Sequence, residues 1–147
     1  MKTIRWQMIV GEEPGNAWTS SPLTGAEGVA VEMKQGGHAD CDRECFVVFL
    51  LNVKNRIIAK EVISLGILDG SLIHPREVFK AAVCAGAASV IVAHNHPSGD
   101  TTPSVQDREV TTRLREAGKI IGIPLVDHLI VGAGTPDFFS FRTTGTW

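Results

Sequence analysis

Residues 87–93 form an apolar run broken only by one serine, and two histidines follow it, two positions apart. A short apolar run bounded by polar residues is typical of a strand buried inside a sheet. Side chains two residues apart in a strand point to the same face, so His94 and His96 should lie side by side. The sequence therefore predicts a ligand site at the carboxyl end of a buried strand, where α/β sheets commonly bind ligands.

An inward-facing carboxylate follows on the next predicted helix. This helix begins at Ser104, and its apolar stripe consists of Val110, Leu114, Ala117 and Ile121. Asp107 lies three positions before the stripe and continues it. Burying a carboxylate without a cationic partner costs free energy, and a divalent metal ion would remove that cost. Two imidazoles, one carboxylate and a water are ligands typical of catalytic zinc, so we interpret H-x-H-x7-S-x-x-D as a metal site.

Each part of this pattern also has an ordinary structural interpretation. Ser104 and Asp107 have the spacing of a helix capping box, which needs no metal. Asp100 is a rival ligand nearer to the histidines, but it follows Gly99 in a predicted turn, where aspartate is common for backbone reasons. We favour Asp107 over Asp100 because only Asp107 lies on the inward stripe.

Length, charge and cysteine content limit the class of protein. A chain of 147 residues, 44% apolar and 20% charged, suffices for one domain with its own core. A net charge of −2 lacks the basic footprint of a typical nucleic-acid binder. Three cysteines, no signal-like segment and no apolar run near the length of a membrane span predict a reduced, cytoplasmic protein.

The other elements are predicted from periodicity and turn residues. Residues 1–23 should form an N-terminal strand and irregular arm, and residues 24–147 the main domain. Within the domain we expect a helix over 24–35, strands over 44–51, 57–65, 88–93, 125–131 and 138–141, and helices opening at Pro75 and Ser104. In the strand over 57–65, the residues expected to face the interior are Ile58, Val62 and Ile63.

The pattern H-x-H-x7-S-x-x-D resembles the JAMM motif of the JAB/MPN metalloprotease family. Further segments are similar to its bacterial RadC-like branch, namely Glu44 before a strand, residues 52–56, 74–77 and 94–100, and the pair Asp127-His128. The resemblance runs from about Thr24 to Phe141. It implies a cytidine-deaminase-like α/β fold of the JAB/MPN type, with a central mixed β-sheet flanked by helices.

The resemblance also implies a chemistry. It implies that His94, His96 and Asp107 hold Zn²⁺, and that metal-activated water hydrolyses a peptide or isopeptide bond. The family's catalytic glutamate stands at the start of an early core strand, and Glu44 fits that position. Ser104 could donate a hydrogen bond to the developing oxyanion, or it could serve only as the helix cap.

Several assignments stay open at this point. Glu61 and Glu77 are alternative catalytic carboxylates, although an exposed strand position and the dipole of a helix start already explain them. His74 could line a substrate groove or simply precede a helix. Asp127 and His128 could support the metal site, contact the substrate, or satisfy one another.

Other functions compete with hydrolysis. RadC proteins have long been labelled as DNA-repair factors, so a DNA-repair-associated or DNA-binding role is the first alternative. An iron oxygenase with two histidines and one carboxylate is a second, and an inactive JAB domain that only binds partners is a third. We expect a peptide or protein substrate and no membrane partner, with nucleic acid as the weaker choice of partner.

Overall fold

Helices cover both faces of a five-stranded mixed sheet in the described part of the chain. The computed structural model describes residues 25–66 and 73–147. Its elements are α1 (Gly25–Gln35), β1 (Cys45–Leu51), β2 (Ile57–Leu65), α2 (Pro75–Cys84), β3 (Ser89–His96), α3 (Val105–Ile121), β4 (Leu125–Gly132), β5 (Phe138–Ser140) and α4 (Phe141–Thr144). The arm expected over residues 1–23 lies outside the described residues. No helix within the two described ranges is long and apolar enough to cross a membrane.

The strands lie in the order β2-β1-β3-β4-β5. β1 is antiparallel to both β2 and β3, whereas β3 and β4 run parallel, and β5 pairs antiparallel with β4. The predicted α/β fold with a central mixed sheet is therefore confirmed. β3 is the middle strand, and its carboxyl end pairs with β1 as far as His94 and with β4 as far as His96.

Strand β1 supplies side chains to two separate apolar layers, because successive residues in a strand point to opposite faces. The layer against α2 and α3 includes Phe46, Val48 and Leu50. The layer against α1 includes Val47, Phe49 and Leu51. All seven residues of β1 are buried, as the continuous apolar run predicts for a central strand.

The interior positions predicted for β2 are wrong for two of the three residues. Ile58 and Val62 are 40% and 39% exposed, whereas Ile63 packs against the layer that contains α2. The pairing of β1 with β2 shifts register at two places. Such bulges interrupt the alternation of inward and outward side chains, and β2 is also an edge strand with a neighbour on one side only.

Two predicted details near the end of the chain also need correction. Ile121 is 45% exposed, because α3 ends there and Gly122 turns the chain with a φ of 81°. The inward position in the last turn is Gly118, where an added Cβ would come within 2.7 Å of the carbonyl oxygen of Ile123. The final strand stops before Phe141, which begins the short helix α4.

Candidate metal centre

The three predicted ligands converge at the carboxyl end of β3. The Nε2 atoms of His94 and His96 lie 3.1 Å apart. Asp107 reaches both rings, with Oδ1 3.1 Å from His94 Nε2 and Oδ2 3.5 Å from His96 Nε2. Tetrahedral zinc with bonds of about 2.0–2.1 Å places neighbouring ligand atoms about 3.3 Å apart, so these side chains fit such an ion. Among the described residues, no other group of three histidine, cysteine or acidic side chains offers donor atoms this close together.

The local backbone explains why these side chains meet. His94 pairs with Phe46 of β1, and it lies completely buried on the sheet face that α3 covers. After His96 the chain turns at Gly99, which has a φ of 82°. Helix α3 then begins beside the end of the sheet. Asp107 lies in its first turn and faces the histidines.

A backbone carbonyl fixes the tautomer of His96. Nδ1 of this ring lies 2.6 Å from the carbonyl oxygen of Asp100. Because a carbonyl only accepts, Nδ1 carries the proton, and in the neutral ring Nε2 keeps a lone pair for a metal. The Asp100 carboxylate accepts the Thr102 backbone N–H at 2.9 Å, and hydrogen bonds from Thr102 lower the pKa of Asp100. Asp100 thus contributes its carbonyl rather than its carboxylate.

A buried hydrogen-bond chain fixes the tautomer of His94. Thr111 Oγ1 donates to the carbonyl oxygen of Asp107 at 2.6 Å, so it accepts from His128 Nδ1, also at 2.6 Å. His128 Nε2 then accepts from His94 Nδ1 at 2.9 Å. Complete burial lowers the pKa of His128 well below its usual value, so this ring is neutral, as the chain requires. Nε2 of His94 is therefore left with a lone pair facing Asp107.

Asp107 is charged although it is buried. Burial opposes its ionisation, but the hydrogen bonds that the carboxylate accepts from the protonated forms of His94 and His96, together with that from the Ser104 backbone, outweigh this effect and hold the pKa of Asp107 well below its usual value. Ser104 donates to Oδ2 from both its backbone N–H and its hydroxyl, each at 2.7 Å. The hydroxyl also accepts the Asp107 backbone N–H at 3.1 Å, which completes a capping box. The helix cap therefore also holds the carboxylate of the candidate metal site in place.

Comparison with known proteins agrees with this fold. A family model described as the RadC-like JAB domain matches residues 25–146. This chain belongs to the RadC-like JAB domain family.

Several curated relatives of this RadC-like JAB domain are named UPF0758 proteins. One from Rubrobacter xylanophilus is 51% identical over 139 residues, which cover 95% of this chain and 58% of the relative. One from Desulforamulus reducens is 57% identical over 106 residues, or 72% of this chain and 46% of the relative. One from Pelobacter propionicus is 53% identical over 106 residues, or 72% and 45%. The chain thus spans about half the length of the curated relatives it matches.

Glu44 of the RadC-like JAB domain lies directly before β1, the strand next to β3. The protonated form of His96 donates a hydrogen bond to Asp107, which is the main reason why the pKa of His96 is raised, and the negative charge of Glu44 adds to it. Glu44 also lines an open cavity of about 450 Å³ together with Pro97, the residue after His96. Glu44 therefore lies close enough to His96 for its charge to act on that ring, and it lines a cavity that is open to solvent.

The other candidate residues take part in different contacts. Glu77 pairs with Arg76 at 3.1 Å on the exposed start of α2, and Glu61 is exposed on the edge strand β2. His74 caps α2 by accepting the Arg76 backbone N–H at 3.2 Å. Asp127 accepts hydrogen bonds from residues around the start of α4, so its side chain joins β4 to α4. Glu77, His74 and Asp127 therefore have structural partners that explain them without a metal ion, and Glu61 is an exposed residue of an edge strand.

Two residues that support the site do not appear among the sequence candidates. Thr111 stands four positions after Asp107 on the inward face of α3. A polar residue on an otherwise apolar helix face can be recognised in the sequence, so Thr111 could have been predicted as a partner of the site. Asn95 lies between the two histidines, but its partners are backbone groups 50 to 54 residues earlier in the chain. No local pattern could have identified those partners.

Proposed function

We propose that this RadC-like JAB domain is a zinc-dependent hydrolase that cleaves peptide or isopeptide bonds. The convergence of His94, His96 and Asp107, with donor atoms 3.1–3.5 Å apart, is the observation that carries the proposal. Buried His128 orients the ring of His94, and the carbonyl oxygen of Asp100 orients that of His96, so that an Nε2 lone pair of each neutral ring is available for a metal. A catalytic zinc site keeps one position open, and Pro97, the residue after His96, lines an open cavity together with Glu44.

Zinc suits this group of ligands, although two histidines and one carboxylate also hold iron(II) in oxygenases. The nearby carboxylate of Glu44 favours hydrolysis, because an oxygenase has no evident need for a general base at that position. When bound, the ion would polarise a carbonyl group and lower the pKa of a coordinated water to about 7.

Glu44 would transfer the proton during hydrolysis. Its carboxylate would accept a proton from the attacking water and then deliver it to the leaving amine, ending in the state in which it began. A general acid–base group typically contributes about 100- to 10,000-fold in rate. The position of Glu44 at the cavity that also borders Pro97 supports this role.

Ser104 is the candidate for stabilising the developing oxyanion. Its hydroxyl donates to Asp107 Oδ2 at 2.7 Å, so the hydroxyl would have to turn toward the substrate during the reaction. Loss of one such donor typically costs about 100- to 1,000-fold in rate. The capping role of Ser104 would remain in the resting protein.

Metal analysis and peptide cleavage of three proteins test the proposal. We expect about one zinc per chain in the wild type and in Glu44→Gln, and none in His96→Ala, because only the last change removes a ligand. Zinc-loaded wild type should cleave members of a peptide library, and Glu44→Gln should be at least about 100-fold slower. Equal zinc in all three proteins would contradict the ligand assignment. Salt-sensitive DNA binding without any cleavage would favour the DNA-associated alternative.

A further inference from the structure

Asn95 links the strand of the two histidines to the segment that contains Glu44. Its side chain is completely buried. Oδ1 accepts the backbone N–H of Cys45 at 2.7 Å. Nδ2 donates to the carbonyl oxygens of Cys41 and Arg43 at 3.1 and 3.2 Å. One amide therefore binds backbone groups on both sides of Glu44.

These hydrogen bonds replace the strand pairing at the point where it stops. The pairing of β1 with β3 ends at Phe46 and His94, so the next residues along each strand are Cys45 and Asn95. The Cys45 N–H bonds to the Asn95 side chain instead of to the backbone of β3. Beyond this point the backbones of β1 and β3 are no longer paired, and the Asn95 side chain makes the connection between them.

The segment before β1 has no regular secondary structure, so side-chain contacts are needed to hold it. On its other side, the carbonyl oxygen of Glu44 accepts the backbone N–H of Gly66 at 2.9 Å. This bond and the Asn95 amide fix the backbone of Glu44 from two directions. A buried amide that loses such partners leaves several polar groups unsatisfied, so the arrangement tolerates little displacement.

We propose that Asn95 is a positioning residue that sets the distance between Glu44 and the metal ligands His94 and His96. Its backbone is continuous with both histidines, and its side chain holds both neighbours of Glu44. Asparagine suits this role because its side chain combines an acceptor with two donors. The part of the inference that concerns catalysis rests on the proposed hydrolase function.

Hydrogen exchange tests the positioning without any need for activity. In Asn95→Ala the Cys45 amide should exchange on the order of tenfold faster, because its hydrogen bond to Asn95 Oδ1 is lost. Asn52→Ala is the matched control, since the Asn52 side chain also bonds to backbone groups, but it accepts the N–H groups of Lys54 and Arg56 in the turn at the other end of β1. The Cys45 amide should exchange in Asn52→Ala at the same rate as in the wild type. Unchanged exchange in Asn95→Ala would overturn the inference.

Asn95→Asp serves as a second variant if Asn95→Ala does not fold. Aspartate keeps the volume and an acceptor for the Cys45 N–H, but it places a carboxylate oxygen against two carbonyl oxygens. Cys45 should then stay protected, while the amides of residues 42–44 exchange faster than in the wild type. Equal exchange of those amides in both proteins would also overturn the inference.

A double-mutant cycle tests the link to catalysis. Asn95→Ala should lower kcat on the order of tenfold with little change in KM, but by less than about twofold in a Glu44→Gln background. A general loss of folded protein would lower kcat by the same factor in both backgrounds, and that result would contradict a positioning role. If the wild type cleaves no peptide, the hydrolase proposal fails, and hydrogen exchange alone decides whether Asn95 holds the Glu44 segment.

Discussion

Nδ1 of His94 lies 2.9 Å from Nε2 of His128, and both rings are completely buried. This contact holds one predicted metal ligand in a single tautomer and orientation. His128→Phe would keep the ring stacked on Phe141 but remove the acceptor. We expect zinc affinity to fall about 10- to 100-fold, the usual cost of losing a partner that orients a ligand. Competition with a chromophoric chelator measures the zinc affinity.

His74→Ala is the control for that experiment, because His74 only caps the exposed start of α2. Its zinc affinity should match the wild type. A His128→Phe protein that binds zinc as tightly as His74→Ala would show that the contact between the two rings does not orient His94.

Asp107→Asn and Asp100→Asn form a second pair of test and control variants. Asp107→Asn removes the negative charge between His94 and His96, so bound zinc should fall well below one per chain. Asp100→Asn keeps the backbone carbonyl that orients His96, so its zinc content should be unchanged. Metal analysis after dialysis measures both. Zinc loss in Asp100→Asn alone would identify the rival carboxylate as the ligand.

Local patterns in the sequence predict the parts of this site that depend on neighbouring residues. The apolar run before His94 and the spacing of Ser104 and Asp107 need only a few adjacent positions to form a strand and a capped helix. The register shifts of β2 and the partners of Asn95 arise from pairing between distant segments. Such pairing is decided by the whole fold, so periodicity alone does not reveal it.

Ser104 has two roles that different substitutions separate. Ser104→Ala removes the helix cap, so the free energy of unfolding should fall by about 0.5–2 kcal/mol in urea titrations. Ser104→Asn keeps an acceptor for the Asp107 N–H and should recover most of that stability, but it has no hydroxyl. If the hydroxyl serves catalysis, peptide cleavage falls in both variants. Full activity in Ser104→Asn would leave Ser104 with the capping role alone.

The cysteines should differ widely in reactivity. Burial, together with the nearby Cys41, raises the pKa of Cys45 to about 11, so about one thiol in a thousand is ionised at pH 8. Cys84 is exposed on α2. Iodoacetamide should therefore label Cys84 first and leave Cys45 unmodified in the native protein, as mass spectrometry of digests would show. The rapid first step of labelling should be absent in Cys84→Ser. Early labelling of Cys45 would contradict its burial.

Gly132 at the end of β4 lies against the loop that follows His96. A Cβ added there would come within 2.6 Å of the carbonyl oxygen of Gly99, which is backbone, so the loop must shift. The neighbouring carbonyl of Asp100, which orients His96, would shift with it. We expect Gly132→Ala to weaken zinc binding on the order of tenfold.

Gly134→Ala is the control, because it has open space around its Cβ and a φ of 67°, so strain should cost about 1–2 kcal/mol of stability without changing zinc affinity. Calorimetric titration with zinc compares the two variants, and equal affinities would show that the loop position does not control His96.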